Sequence, residues 1–134
     1  MEIILAENHG FCYGVKRAVE MANEAAEGKG KSYTLGPIIH NPQVVGRLES
    51  KGVSPIQEVA DIDEGTMIIR SHGVGPAIYA EAEEKGLHIL DATCPHVKKA
   101  QQDAKSVIED GMTLVILGEK NHPEVKSINL WANN

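Results

Sequence analysis

The sequence predicts an α/β fold with a mostly parallel sheet flanked by helices. Short apolar runs rich in β-branched residues alternate with longer segments of helical spacing, which is typical of strand–helix–strand units. The runs are continuously apolar, as expected of strands that are buried on both faces. The predicted strands are EIIL, SYTL, TMIIR, HIL and TLVIL, with GVSPI as a weaker edge strand because Pro55 lacks a ladder donor.

Helices are predicted in the intervals between these runs. Residues 14–27 carry an alanine and valine stripe at helical spacing and are followed by a glycine. Asn41 is a predicted N-cap for the next helix, which has a proline at its first position. The other two helices are predicted at 76–85 and 95–110, each beginning at a proline.

Length and composition restrict the class of protein. The 134 residues suffice for one compact domain with a buried core. The formal net charge of −6 argues against a general nucleic-acid-binding protein, although a local cluster can still hold an anionic small ligand. The apolar runs are too short for a signal peptide or a membrane span. We therefore predict a cytoplasmic protein that binds no nucleic acid or membrane and keeps its two cysteines reduced.

Reactive side chains follow the predicted strands. In open α/β sheets, ligands bind beyond the carboxyl ends of the strands. Parallel strands would therefore bring these side chains to one edge of the sheet, where they would form a single site. The six groups are Cys12, His40, His72, Cys94, His122 and Glu124.

The two cysteines occupy equivalent positions in the sequence. Cys12 and Cys94 each follow a predicted strand and precede a predicted helix, and neither belongs to a CxxC pair. A helix N-terminus favours a thiolate over a thiol, and thiolates are the ligands of iron–sulfur clusters and of zinc. The alternative interpretation is a buried, inert thiol, because free cysteine is often buried.

Three histidines and a glutamate form the rest of the predicted site. His40, His72 and His122 each follow a predicted strand by a few residues, which indicates anion binding or proton transfer near neutral pH. Any one of them alone would more often be a hydrogen-bonded loop histidine, and it is the occurrence of three at one predicted edge that favours a site. Glu124 is a candidate proton donor, or a first-turn glutamate favoured by the helix dipole.

The remaining charged residues near these motifs have simpler interpretations. Lys16 and Arg17 either add positive potential beside the first cysteine or belong to a solvated helix face. We interpret His9, His88 and His96 as structural or solvent-facing residues.

Five motifs in order carry a family resemblance. GFCYGVKRAV, GPIIHNPQVV, RSHGV, DATCPHVKKA and NHPEV resemble those of 4-hydroxy-3-methylbut-2-enyl diphosphate reductase, the IspH/LytB family. The similarity runs from Glu2 to Val125. Both cysteines and the three candidate histidines His40, His72 and His122 lie inside these motifs, which makes the combination specific.

The resemblance implies an iron–sulfur oxidoreductase of the non-mevalonate isoprenoid pathway. Enzymes of this family hold a [4Fe-4S] cluster on three cysteines and leave one iron open to the substrate. Two electrons and two protons remove the allylic oxygen as water, giving isopentenyl and dimethylallyl diphosphates. The expected electron donor is ferredoxin or flavodoxin. The resemblance assigns Cys12 and Cys94 to the cluster.

The resemblance also implies roles for the histidines and the glutamate. His40 and His72 are similar to family residues that contact the substrate diphosphate. His122 resembles the histidine that binds substrate or relays protons, and Glu124 resembles the carboxyl that supplies the proton.

The chain departs from the family pattern after Cys94, where the third family cysteine has no counterpart. Family members are longer and fold as three similar α/β domains, so the resemblance assigns residues 1–94 to the first domain and 95–134 to the start of a truncated second one. Two thiolates do not supply the three-cysteine set, and we therefore expect an incomplete, inactive fragment. An exposed sheet edge would favour a dimer or a domain swap.

Two other functions are compatible with the residues. A zinc-dependent hydrolase would use the three histidines and Glu124, although no pair has the close spacing of helical zinc ligands. A non-catalytic α/β module would bind a phosphorylated ligand at the strand ends without needing the cysteines.

Overall fold

The computed structural model describes residues 1–28 and 30–133. Within this part, one sheet has the strand order β2-β1-β3-β4, and every neighbouring pair is parallel. The parallel α/β fold is confirmed, and the GVSPI strand lies at an edge of the sheet as predicted. The strands are β1 Ser32–Leu35, β2 Val53–Ile56, β3 Thr66–Ile69 and β4 His88–Asp91.

Helices connect the strands and cover the sheet. All four predicted helices form, and the Asn41 side chain caps the second by accepting a hydrogen bond from the Val44 N–H at 3.1 Å. The helices are α1 Tyr13–Glu27, α2 Pro42–Ser50, α3 Pro76–Glu84, α4 Pro95–Glu109 and α5 Pro123–Trp131, with a short 3-10 helix at Val59–Asp61. Within the described residues no helix has the length and apolar character needed to cross a membrane.

The core lies on both faces of the sheet. Successive side chains of a strand point to opposite faces. In β3, Ile68 packs on the face covered by α1 and α2, whereas Met67 and Ile69 pack on the face covered by α3. All three are fully buried. Since both faces are covered in this way, the loops at the carboxyl ends of the strands are left to build a site.

Two of the predicted strands, EIIL and TLVIL, are wrong. Residues 2–5 and 113–117 have no regular structure, and neither segment pairs with a strand in the described part of the chain. Their side chains are exposed, Ile4 by 82% and Leu117 by 102% of the reference area. Apolar composition supplies only a tendency, because a strand forms when a neighbour satisfies its backbone groups.

Helix α5 is not among the four predicted helices, although the alternative interpretation of Glu124 as a first-turn residue implies a helix at this point. It begins with Pro123 at its first position, after His122 as the N-cap. It packs against α4, where the Gln101 side-chain amide donates a hydrogen bond to the Ser127 hydroxyl. The indole N–H of Trp131 donates to the Val74 carbonyl at 2.8 Å. The Trp131 contact joins residues on both sides of the predicted boundary at 94/95, and the division into two domains stays a prediction.

Candidate functional site

The three predicted site histidines come together. Ring centroids are separated by 4.4 Å between His40 and His72, 5.6 Å between His40 and His122, and 5.7 Å between His72 and His122. One nitrogen of each ring lies within 4.8 Å of one nitrogen of each other ring. We call these residues the histidine trio. His72 is buried, His122 is half-buried and His40 is exposed, so the trio opens to solvent on one side.

The strand order explains why the first two rings meet. The chain leaves β1 in one direction to β2 and returns to the other side of β1 at β3, so the crevice between β1 and β3 is the topological switch point. His40 follows β1 and His72 follows β3. Ser71 links their loops because both its N–H, at 3.3 Å, and its hydroxyl, at 3.2 Å, donate to the Ile38 carbonyl.

The third histidine arrives by a different route. His122 follows no strand and is instead the N-cap of α5. Trp131 of α5 contacts Val74, which lies two residues after His72 in the sequence. This contact helps to hold α5 where its N-terminal residue His122 meets the other two rings. Gly73 lies between His72 and Val74 with a φ of +72°, a conformation that a side chain would strain. A Cβ there would also come 3.0 Å from the Ser127 hydroxyl oxygen.

The protonation of the trio follows from its contacts. Burial lowers the pKa of His72 from 6.5 to about 4, and the nearby His40, Arg70 and His122 act in the same direction because a positive charge on any of them opposes a second one on His72. His72 is therefore neutral at neutral pH, and its Nδ1 is buried without a hydrogen-bond partner among the described residues. The Nδ1 of His122 accepts from the Glu124 N–H at 3.3 Å, which leaves the proton of the neutral ring on Nε2.

The low pKa of His72 makes stability depend on pH. Between about pH 6.5 and about pH 4 the unfolded chain binds a proton at His72 that the folded chain does not. We expect the free energy of unfolding to fall as the pH falls through this window. Urea unfolding should therefore show a shallower pH dependence for His72→Gln than for the unmodified chain. His88→Gln, at an exposed position, is the control, and equal slopes for all three proteins would contradict the expectation.

Both cysteines lie at helix N-termini, as predicted. Cys12 is the N-cap of α1 and is exposed, whereas Cys94 is the N-cap of α4 and is half-buried. The Cys94 N–H donates to the Ser71 carbonyl at 2.9 Å, so the same serine that joins the histidine loops also holds the Cys94 loop. The site therefore has a histidine part and a thiol part in one connected set of loops.

Gly14 brings the two cysteine loops into contact. A Cβ on this residue would lie 2.9 Å from the Cβ of Cys94 and closer still to its sulfur. Only a glycine allows the first turn of α1, which begins after Cys12, to approach Cys94 this closely. The Arg17 guanidinium donates from the same helix to the carbonyls of Thr93 at 3.3 Å and Asp91 at 3.5 Å.

Asp91 fixes the loop that leads to Cys94. Its carboxylate accepts hydrogen bonds from the Thr93 N–H at 2.9 Å and from the Tyr79 hydroxyl at 2.9 Å, and it pairs with Lys98 at 2.6 Å. Burial acts to raise the pKa of Asp91, but the hydrogen bonds from Lys98, Thr93 and Tyr79 outweigh it and hold the pKa below its usual value. An ionised Asp91 therefore locks the turn before Cys94.

A matched pair of glycine substitutions tests the contact at Gly14. Gly14→Ala would force Cys94 away from α1, and we expect it to lower the free energy of unfolding by about 1–3 kcal/mol. Gly46→Ala is the control because Gly46 also lies in a helix and a Cβ there meets nothing within 4 Å. That change should raise the free energy of unfolding by about 0.5–1 kcal/mol.

Urea unfolding measures both effects, and alkylation of Cys94 followed by mass spectrometry measures the displacement of its loop. We expect faster alkylation in Gly14→Ala than in Gly46→Ala. Equal stability and equal alkylation rates in the two variants would show that the approach of α1 to Cys94 is not tight.

The other predicted residues have plain positions. Glu124 is half-buried in the first turn of α5, and Lys16 is exposed in α1. His9, His88 and His96 are exposed, as predicted. Sequence reasoning missed Ser71, Gly14 and Asp91, which hold the loops of the site without bearing the predicted chemistry. They are neighbours of His72, Cys12 and Cys94 in the motifs, and that adjacency was the available signal.

A family model described as LytB protein matches residues 3–134. The chain belongs to the LytB family. The family predicted from the five motifs is thereby confirmed.

Curated relatives show which members of the LytB family this chain is similar to. It is 53% identical over 133 residues to 4-hydroxy-3-methylbut-2-enyl diphosphate reductase of Geotalea uraniireducens, covering 99% of the chain and 47% of the relative. The reductase of Geobacter sulfurreducens is 54% identical over 132 residues, with 98% and 47% covered. The chain thus spans about half the length of the curated relatives it matches.

Two solved structures share the fold of the LytB chain. A structure of (E)-4-hydroxy-3-methyl-but-2-enyl diphosphate reductase, the terminal enzyme of the non-mevalonate pathway, superposes with a TM-score of 0.86 at 48% identity. The match covers 98% of this chain and 47% of that one. The structure of the Plasmodium falciparum E-1-hydroxy-2-methyl-but-2-enyl-4-diphosphate reductase gives a TM-score of 0.90 at 33% identity, covering 95% and 41%.

Proposed function

We propose that this chain is the part of a 4-hydroxy-3-methylbut-2-enyl diphosphate reductase that binds the substrate diphosphate and supplies two ligands of an iron–sulfur cluster. The observation that carries the proposal is the histidine trio, whose nitrogens lie within 4.8 Å of one another at the switch point of a LytB-family sheet. The thiol part of the site joins the trio through Ser71.

The trio suits a diphosphate because its rings can donate hydrogen bonds to the oxygens of an anion. His122 has its proton on Nε2 when Nδ1 accepts from Glu124 N–H, so Nε2 donates. A bound diphosphate adds negative charge near His72 and raises the pKa of that ring, which opposes the burial that lowers it. Diphosphate binding is thereby coupled to proton uptake at His72.

Cys12 and Cys94 fit the cluster as two of its ligands. Both lie at helix N-termini, which favour the thiolate, and Gly14 brings α1 against Cys94. The sequence contains two cysteines, so further ligands have to come from outside this chain. When bound, the cluster supplies electrons and a Lewis-acidic iron. The chain itself positions the two sulfurs, with Arg17 and Asp91 holding the second.

The proposed reaction balances as a reductive dehydroxylation. Two electrons and two protons enter, the allylic carbon–oxygen bond breaks, and the oxygen leaves as water while a carbon–hydrogen bond forms. Glu124 is half-buried two residues after His122 and is the proposed proton donor. His122 orients it, since the Glu124 N–H is held by the His122 ring.

Several predictions from the sequence remain predictions at this point. They are the electron donor of the ferredoxin or flavodoxin type, the cytoplasmic location, and a dimer or domain swap of the fragment. Light scattering that shows only monomer at high concentration would contradict the last of these.

The zinc-dependent hydrolase is the second candidate function, and one observation favours it. Three histidine nitrogens within 4.8 Å of one another match the donor set of a zinc site. The hydrogen bond to His122 Nδ1 nevertheless favours an anion site over a zinc site. A neutral ring that binds a metal through Nε2 carries its proton on Nδ1, but here Nδ1 accepts a hydrogen bond from the Glu124 N–H.

Titration with inorganic diphosphate in the presence of a chelator separates the two functions. The reductase proposal predicts saturable binding with the chelator present, because the donors are the rings themselves. Diphosphate binding that requires added zinc would support the hydrolase and contradict the proposal. The titration uses the metal-free chain, so its outcome does not depend on the cluster.

A further inference from the structure

A cavity lies beside the loops that carry the histidine trio. It has a volume of about 240 Å³ and lies between the carboxyl ends of the strands and helix α5. It shares a wall with the trio, because Gly73 follows His72 and Pro123 follows His122, yet none of the three histidines lines it. The polar side chains that line it are those of Gln57, Arg70, Lys126 and Ser127.

The charge of this cavity is positive in a protein of net charge −6. Of the described residues that line it, Arg70 and Lys126 are charged and none is acidic. Among the described residues, neither cation forms an ion pair within 4.0 Å. The Nε of Arg70 is buried and has no hydrogen-bond partner in the same part of the chain. A buried unpaired donor is costly, which indicates that an acceptor belongs there.

The Arg70 guanidinium lies close against Gly36. One of its terminal nitrogens, Nη1, lies 2.7 Å from the position that a Cβ on Gly36 would occupy. Gly36 follows β1 and Arg70 follows β3, so the guanidinium lies across the switch point where the sheet topology favours ligands. A guanidinium presents a planar fork of donors that matches an oxyanion.

We propose that this cavity is a second anion site, in which Arg70 and Lys126 bind the oxyanion of a phosphate or carboxylate group. The inference does not rest on the reductase proposal, because it uses neither the histidine trio nor the cysteines. The oxyanion belongs either to a small molecule or to an acidic side chain of a longer protein that contains this chain, and the two sources share the same chemistry.

Titration of the isotope-labelled chain with inorganic phosphate and, separately, with acetate tests the site. We expect saturable shifts of the amide signals of Gly75 and Ser127, which line the cavity. Saturation by phosphate indicates a phosphorylated molecule, and saturation by acetate alone indicates a carboxylate side chain. The absence of saturable shifts with both anions would overturn the proposal.

Three variants assign the shifts to the cavity. Arg70→Gln is expected to lower the affinity for the anion about tenfold or more, since it removes a charge-assisted hydrogen bond. Lys126 is exposed, so Lys126→Gln should leave the fold intact. Weaker anion binding by this variant keeps the test decisive even if Arg70→Gln fails to fold. Lys120→Gln removes the same charge outside the cavity and is expected to bind as the unmodified chain does.

A variant of the trio separates the two anion sites. His40→Gln removes a ring that does not line the cavity, so it should leave the shifts of Gly75 and Ser127 unchanged. If Lys126→Gln binds the anion as tightly as Lys120→Gln, or if His40→Gln abolishes the shifts, the cavity is not a separate site. Failure of diphosphate binding at the trio would leave this result unaffected.

Discussion

Cys94→Ser is expected to lose the iron and acid-labile sulfide that the unmodified chain binds after anaerobic reconstitution. The oxygen of serine is a poor ligand for an iron–sulfur cluster compared with a thiolate. Because Cys94 is one of two cysteines in the chain, its loss leaves one protein thiolate, which cannot hold a cluster alone. Reconstitution in an excess of a small thiol supplies the ligands that lie outside this chain.

The measurement is iron and sulfide per chain, with the visible absorption of the thiolate-ligated cluster as the spectroscopic signature. Cys12→Ser should fall to the same background as Cys94→Ser. His96→Gln is the matched control, since His96 is an exposed residue in the first turn of the same helix. If Cys94→Ser keeps as much iron and sulfide as His96→Gln, Cys94 is not a ligand. If the unmodified chain binds no cluster, two thiolates do not suffice and the chain lacks this role.

His72→Gln is expected to lower the affinity for inorganic diphosphate by about tenfold to about a hundredfold at neutral pH. The change removes one charge-assisted hydrogen bond, which is worth about 1.5–3 kcal/mol. His40→Gln should have a similar effect because its ring centroid lies 4.4 Å from that of His72. His88→Gln is the control, an exposed histidine at the opposite end of the parallel strands.

The same titration carries a pH signature. In the folded chain without ligand the pKa of His72 is about 4. A bound diphosphate raises this pKa, so binding takes up a proton. The affinity of the unmodified chain should therefore increase as the pH falls from about 7 towards about 5, and His72→Gln should lose part of this dependence. Calorimetry in buffers of different ionisation enthalpy counts the protons. Equal affinity in His72→Gln and His88→Gln would contradict a role for the trio in binding the anion.

Much of the site was predictable because its residues lie next to regular elements in the sequence. The runs SYTL and TMIIR form strands as predicted, the second ending one residue earlier at Ile69, and His40 and His72 follow them. Proline at the first helical position predicted three of the helices, and Cys94 precedes one of them. Local signals of this kind act over a few residues and can be read without a partner segment.

The predictions failed where the outcome depends on a distant partner. The EIIL and TLVIL runs have the composition of strands, yet in the described part of the chain no strand pairs with them. His122 was expected to reach the site from the end of such a strand. It reaches the site through α5 instead, because Trp131 and Ser127 hold that helix against Val74 and α4. Strand pairing and helix docking are long-range interactions that composition does not specify.

By itself, the sequence determined the parallel α/β class, the family, and the side chains that carry the chemistry. Alternation of short apolar runs with helices and the order of five motifs are one-dimensional properties, and the structure and the family match agree with them. The tertiary structure decided which groups meet. Only packing shows that Ser71 ties the loops of His40 and Cys94 together and that Gly14 lets α1 reach Cys94. These contacts join residues far apart in the chain, and their distances are set by close packing and backbone hydrogen bonds.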